Sequence, residues 1–264
     1  LGLLWGLVLG VIQGATEFLP VSSSAHLAFA GALAGISEKD ALPFFLVLHF
    51  GTLAALAAYF AGDLLGLAKG CLRLDRTAWR LVLMIALTSL PTGIIGLALK
   101  DIVEKAFVST AWPAAFLVVT AAALFFTKFG SKGESGLGGI SPVSALLIGL
   151  AQGLAVLPGI SRSGSTIAAG LLCGLKRDDA FRYSFLSSIP AIGGAFLLDM
   201  KGIADTASNF GTGVMIVSFF LAAVSGFASL FFLKRAVTGG RLHLFSYYCL
   251  FASACGFLIT YFVP

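Results

Sequence analysis

The stretch QGATEFLPVSSSAHL, residues 13–27, decides how this chain is read. Between residues 1 and 35 Glu17 is the sole Asp, Glu, Lys or Arg, and the surroundings are apolar enough to lie in a membrane. A straight crossing helix needs about 20 apolar residues, so this segment is too long for one. Pro20 and the serines after it interrupt a helix near the middle. The expectation is a half-helix, a polar turn and a second half-helix, entering and leaving the membrane on one side.

Residues 140–175 repeat the pattern, with Arg162 as the sole charge and a break at VLPGISRSGS. GVIQGATEFLPVSSS aligns with GLAQGLAVLPGISRS once one residue is deleted before the proline. Gln13-Gly14 then matches Gln152-Gly153, Leu19-Pro20 matches Leu157-Pro158, and Ser22, Ser23 and Ser24 lie beside Ser161, Arg162 and Ser163. Between and after the hairpins, residues 41–62, 81–99, 106–127, 183–198, 211–233 and 242–264 are charge-free runs that span or nearly span. The run 183–198 is short and holds Pro190, so its limits are loose. Three crossings after the first hairpin put the second on the opposite face. The predicted fold is therefore an all-α polytopic membrane protein: six transmembrane helices plus two re-entrant hairpins in an inverted-topology repeat. It is one membrane domain over 1–264, with repeat 1 at about 1–135 and repeat 2 at about 136–264.

Composition agrees: 58% of residues are hydrophobic and 11% charged, and the mean hydropathy is +1.00. Soluble domains carry about 25% charged residues. The formal charge of +5 is thus a statement about loops, and no nucleic-acid partner is expected. Lys69, Arg73, Arg76, Arg80, Lys128, Lys132, Lys176, Arg177, Arg182, Lys234, Arg235 and Arg241 fall on one face; Lys39, Lys100, Lys105 and Lys201 fall on the other. The first face is cytoplasmic by the positive-inside rule. Both termini and the mouth of the first hairpin then face outward. Counting either hairpin as a crossing would scatter the basic loops over both sides. Cys71, Cys173, Cys249 and Cys255 show no metal-ligand spacing and are expected to be small apolar filler. The chain opens on a leucine with no basic segment and cleavage site behind it, so no signal peptide is expected, and a few native residues are expected to precede it.

Irregular backbone at membrane depth must be buried in protein or line a wet cavity. An ionisable residue there is a functional hypothesis by default. Glu17, His26 and Arg162 lie in the hairpins, His49 in a crossing and His243 near an interface. Pro158 and Gly159 end one half-helix, and the next is predicted to start near Ser163 to Ser165. Arg162, a helix start and the hydroxyls of Ser161, Ser163, Ser165 and Thr166 make an oxyanion site, which suits phosphate because guanidinium binds it bidentately. The alternative is a structural Arg162–Glu17 bridge, which is compatible with phosphate binding. Glu17 is a proton donor or acceptor, a metal ligand or the partner of Arg162. Ser22, Ser23 and Ser24 are expected to cap the second half-helix, which leaves room for one of them to be a nucleophile. His26, three residues after Ser23, would share its helix face, or be satisfied by backbone.

These segments resemble the two signature segments of the bacterial undecaprenyl-diphosphate phosphatase family, the bacitracin-resistance phosphatases. LHFGTLAAL and the stretch around SIPAIGGA fit the same family. The resemblance implies hydrolysis of undecaprenyl diphosphate to undecaprenyl phosphate, the lipid carrier of cell-wall synthesis, and inorganic phosphate. It implies a divalent cation, magnesium or calcium, with Glu17 as a metal ligand, and a site on the outer face of the inner membrane. Carried over by position, Glu17, Ser23, His26 and Arg162 are catalytic, with Ser23 as nucleophile and His26 or Glu17 handling protons. Ser22, Ser24, Ser161, Ser163, Thr166 and Gln13 would bind phosphate. Gln13 departs from the pattern, since many members carry a first glutamate there; Ala25 stands where glycine is common. Membrane lipids are expected neighbours, and a homodimer is left open. The rival class is a transporter moving the lipid carrier or a small anion, because broken inverted repeats also build transporters.

Overall fold

The computed structural model describes residues 3–36, 38–107, 109–129 and 133–263, with side chains undescribed for 38–43, 104, 107 and 195–210. Lys132 lies outside the described residues, as do the side chains of Lys39 and Lys201. Among the described residues the chain is helical, with no β-strand. Its α-helices are α1 Leu3–Glu17, α2 Ser23–Leu33, α3 Glu38–Tyr59, α4 Ala61–Leu72, α5 Arg76–Ala98, α6 Lys100–Phe107, α7 Ala111–Phe126, α8 Pro142–Leu154, α9 Arg162–Leu172, α10 Arg177–Phe210, α11 Thr212–Thr238 and α12 Phe245–Phe262.

The two expected breaks are there. α1 stops at Glu17 and α2 starts at Ser23; α8 stops at Leu154 and α9 starts at Arg162. Among the described residues, four stretches are long and apolar enough to cross a membrane: Arg76–Ala98, Ala111–Phe129, Thr212–Thr238 and Leu242–Phe262. A fifth arises if Phe44–Tyr59 and Ala61–Leu72, bent by 65°, count as one. The chain is an integral membrane protein. Residues 63–72, expected to belong to a connection, are helical within α4, whose Asp63 pairs with Arg182 of α10. The run 183–198 falls inside the 34-residue α10, which carries Pro190 without breaking.

Lipid tails are as apolar as leucine, so helices in a membrane associate through close packing rather than water exclusion. The half-helices show this. α1 packs most extensively on α11, and α8 on α5. Gly14 and Gly149 allow the approach: a Cβ at Gly14 would sit 2.4 Å from the Ala222 carbonyl oxygen, and one at Gly149 2.3 Å from that of Thr88. Hydroxyls then bond the exposed backbone, Ser229 to the Gly14 carbonyl and Thr88 to that of Ala145. Phe18, in the first turn, meets Phe185 of α10 edge-on at 5.6 Å, within a buried cluster that includes Phe60 and Phe181. The outer faces stay apolar, with Phe220, Val224, Phe231 and Phe232 of α11 exposed where lipid would lie.

Candidate active site

The two turns touch. The Gly159 N–H donates to Ser22 Oγ at 3.1 Å and to Ser24 Oγ at 3.3 Å, across 137 and 135 residues of chain. Gly159 has φ +104°, backbone that favours glycine, and a Cβ there would meet the Pro113 carbonyl oxygen at 2.4 Å. Beside this contact Arg162 Nη2 donates to Glu17 Oε1 at 2.6 Å. Only 7% of the Glu17 side chain and 15% of that of Arg162 are exposed, so the pair is held largely out of water.

The other carboxylate oxygen faces the first hairpin. Ser23 Oγ donates to Glu17 Oε2 at 2.6 Å, and Gln13 Nε2 donates to the same oxygen at 3.0 Å. His49 Nε2 of α3 stands 3.5 Å away, and Thr52 Oγ1 accepts from Gln13 at 3.5 Å. Ser23 and Arg162 are each the first residue of their helix. Two helix starts thus reach the two oxygens of one carboxylate. A buried carboxylate with several donors is stabilised as a charge-assisted network. Arg162 has more to give: its Nη1 is buried with no hydrogen-bond partner among the described residues. Leaving such a donor unmade costs about 1–3 kcal/mol or more for a charged group. An incoming oxyanion would satisfy it.

Several expectations need correction. α9 starts at Arg162, earlier than Ser163, because Ser161 Oγ caps it by accepting from the Gly164 N–H at 3.2 Å. Ser22 occupies the same position before α2 but makes no side-chain cap; it has φ +65°, and its hydroxyl turns to Ser24 Oγ at 3.0 Å and to Gly159. Thr166 Oγ1 bonds the Arg162 carbonyl and Ser184 Oγ of α10. Ser163 Oγ bonds Ser161 Oγ at 3.3 Å. His26 bonds the Ser22 carbonyl through Nδ1 and Tyr248 through Nε2, both at 2.8 Å, and no hydrogen bond to Ser23 is present among the described residues. Sequence reading set His49 apart in a crossing and passed over Thr52 and Tyr248. The one signal for His49 was an ionisable residue at membrane depth.

A hard divalent cation takes oxygen ligands, and magnesium is commonly shared between one or two carboxylates and substrate phosphates. No group of three His, Cys, Asp or Glu that could hold a metal occurs among the described residues. Glu17 supplies one carboxylate, and Gln13 Oε1 is a buried carbonyl oxygen without a partner. The same orphan recurs at Gln152 Oε1, whose amide bonds Thr92, so the orphan alone marks no metal. These residues fit a cation that arrives on a phosphorylated ligand, with Glu17 as the protein's main contribution. All four cysteines are free, and buried Cys249 donates to the Pro20 carbonyl at 3.5 Å.

The family of bacitracin resistance protein BacA matches residues 6–255. The chain belongs to this family. Curated BacA-like relatives are close. The undecaprenyl-diphosphatase of Desulfosudis oleivorans is 45% identical over 92% of this chain and 93% of its own. That of Methanosphaera stadtmanae is 41% identical over 94% and 95%. That of Thermosipho melanesiensis is 39% identical over 96% and 98%.

Proposed function

We propose that this chain is an undecaprenyl-diphosphatase, a hydrolase that releases phosphate from the lipid diphosphate and so recycles the cell-wall carrier and confers bacitracin resistance. The observation that carries it is the Arg162 guanidinium, with one arm on Glu17 and the other buried and unpartnered, opposite a serine held on the same carboxylate. A carrier of the lipid would need the cation but not the hydroxyl–carboxylate pair.

The chemistry follows from those positions. Arg162 Nη1 takes an oxygen of the terminal phosphoryl group, and the N–H groups at the start of α2 and α9 add donors. Ser23 Oγ attacks phosphorus as its proton passes to Glu17 Oε2, 2.6 Å away. The Oγ–P bond forms and the bridging P–O bond breaks, with undecaprenyl phosphate leaving. Water then cleaves the phosphoserine. Most of the rate comes from positioning and charge stabilisation, as in other phosphoryl transfers. Glu17 and Gln13 Oε1 would hold a divalent cation together with the diphosphate; its chemistry there is neutralisation of phosphoryl charge. Ser22, Ser24, Ser161 and Ser163 shape the turns around this point, and Thr166 supports the start of α9 from behind.

The finer architecture belongs to the same proposal. Six crossings with two re-entrant hairpins, in repeats at about 1–135 and 136–264, are supported by the reciprocal packing of α1 on α11 and α8 on α5. The charge bias supports termini and site on the outer face of the inner membrane. A homodimer is compatible with the apolar exterior. The test is phosphate release from a polyprenyl diphosphate by purified protein in detergent, with and without chelator. Release that chelator abolishes is expected, with phosphoserine trapped at Ser23. Lipid transport without release would overturn the function, and release with no label on Ser23 would replace it with direct attack by water.

A further inference from the structure

His26 has both ring nitrogens engaged, and the partners dictate where its proton sits. Nδ1 lies 2.8 Å from the Ser22 carbonyl oxygen, which can only accept, so Nδ1 carries hydrogen. In the neutral ring Nε2 then holds the lone pair. Tyr248 OH lies 2.8 Å from Nε2 and must donate to it. The two rings are also nearly parallel, 5° apart in plane with centroids 5.7 Å apart, so the phenol fixes orientation as well as proton position.

What this holds in place is the turn before the candidate nucleophile. Ser22 is one of two non-glycine residues with positive φ among the described residues, and its side chain provides no cap. Its carbonyl is anchored instead by His26, through Nδ1–H at 2.8 Å and the His26 backbone N–H at 3.4 Å. The next residue is Ser23, whose Oγ must stay 2.6 Å from Glu17. Tyr248 comes from α12, more than 200 residues away in sequence, and its neighbour Cys249 reaches the Pro20 carbonyl in the same turn. A non-glycine residue in the left-handed region persists only where its surroundings over-determine it.

We propose that Tyr248 is a positioning residue for the phosphatase reaction: its hydroxyl donates to Nε2 and holds the His26 ring where Nδ1–H anchors the Ser22 carbonyl, which fixes the Ser22 turn and presents Ser23. The lock follows from the hydrogen bonds alone; its effect on turnover rests on the function proposed above. Tyr248→Phe keeps the ring, its packing and its stacking and removes only the donor.

The test joins spectroscopy to kinetics. In protein labelled with ¹⁵N-histidine, at about pH 8.5 where an ordinary imidazole is neutral, His26 is assigned by its loss in His26→Asn. The wild type is expected to show Nδ1 protonated and Nε2 accepting a hydrogen bond, and Tyr248→Phe to keep Nδ1 protonated on the Ser22 carbonyl while the Nε2 resonance moves to that of a ring nitrogen without a donor. Turnover of Tyr248→Phe is expected to fall on the order of tenfold with KM nearly unchanged, since Tyr248 acts before the chemical step and not on substrate binding. In a His26→Asn background there is no imidazole for the phenol to hold, so adding Tyr248→Phe should change nothing further. An unshifted Nε2 resonance in Tyr248→Phe, unchanged turnover, or a loss that persists undiminished in the His26→Asn background would each overturn the proposal. If the wild type releases no phosphate, the function fails, while the histidine spectrum still decides the lock.

Discussion

The two hairpins are built on one plan and do different work. Each has a glutamine one residue before a glycine, a Leu-Pro break and a helix that restarts behind a serine. In the second, Ser161 is an ordinary cap with φ −73° and ψ 120°. In the first, Ser22 has φ +65° and ψ 95° and releases its hydroxyl to the opposite turn. Gln13 bonds a carboxylate, whereas Gln152 bonds Thr92 and the Ser187 carbonyl. The anion sits in one hairpin and the cation in the other. Removing one partner of a buried pair costs about 3–5 kcal/mol because the other charge is stranded. Neither hairpin is therefore complete without its counterpart.

Six substitutions would break or sharpen that contrast. Glu17→Gln keeps the shape but removes the negative charge that pairs with Arg162 and the basic oxygen that takes the Ser23 proton; phosphate release should fall by about 10³-fold, measured by phosphate assay in detergent. Arg162→Lys keeps the charge and loses the fork, and kcat should drop about 10²-fold; near-normal turnover there would remove the clamp from the mechanism. The glutamines separate the hairpins directly. Gln13→Leu takes a donor from the carboxylate and should cost about tenfold in kcat, the equivalent of ~1.4 kcal/mol, while Gln152→Leu should leave kcat near the parent's. Equal losses from the two would mean the second glutamine reaches the site after all. The smallest effect is expected from Ser161→Ala, which removes a helix cap and should lower stability by about 1 kcal/mol in thermal unfolding. Ser22→Ala has no cap to lose, so its effect should appear in turnover rather than in the melting of α2.

Much of this was legible before any coordinates. The Leu-Pro breaks, the paired Gln-Gly steps and the isolated charges at Glu17 and Arg162 marked two turns, and the structure brings those turns together. The start of α9 was misplaced because Ser161, Ser163 and Ser165 are all competent caps, and choosing among them depends on backbone direction after Gly159. α4 was missed because AGDLLGLAKGCL mixes charge with apolar residues and reads as a connection. His49 and Thr52 were missed at the site because no local pattern ties them to Glu17, more than 30 residues earlier.

The sequence by itself determined the solvent this protein lives in and the places where its helices must break. Those properties follow from hydropathy and from proline and serine, and both act locally along the chain. Only the tertiary structure decided that Ser23 rather than His26 meets Glu17, that Arg162 keeps one arm free, and that a tyrosine from the last helix closes the ring of contacts. Hydrogen bonds are short and directional, so which hydroxyl reaches which oxygen is settled only when two turns more than 130 residues apart are packed against each other.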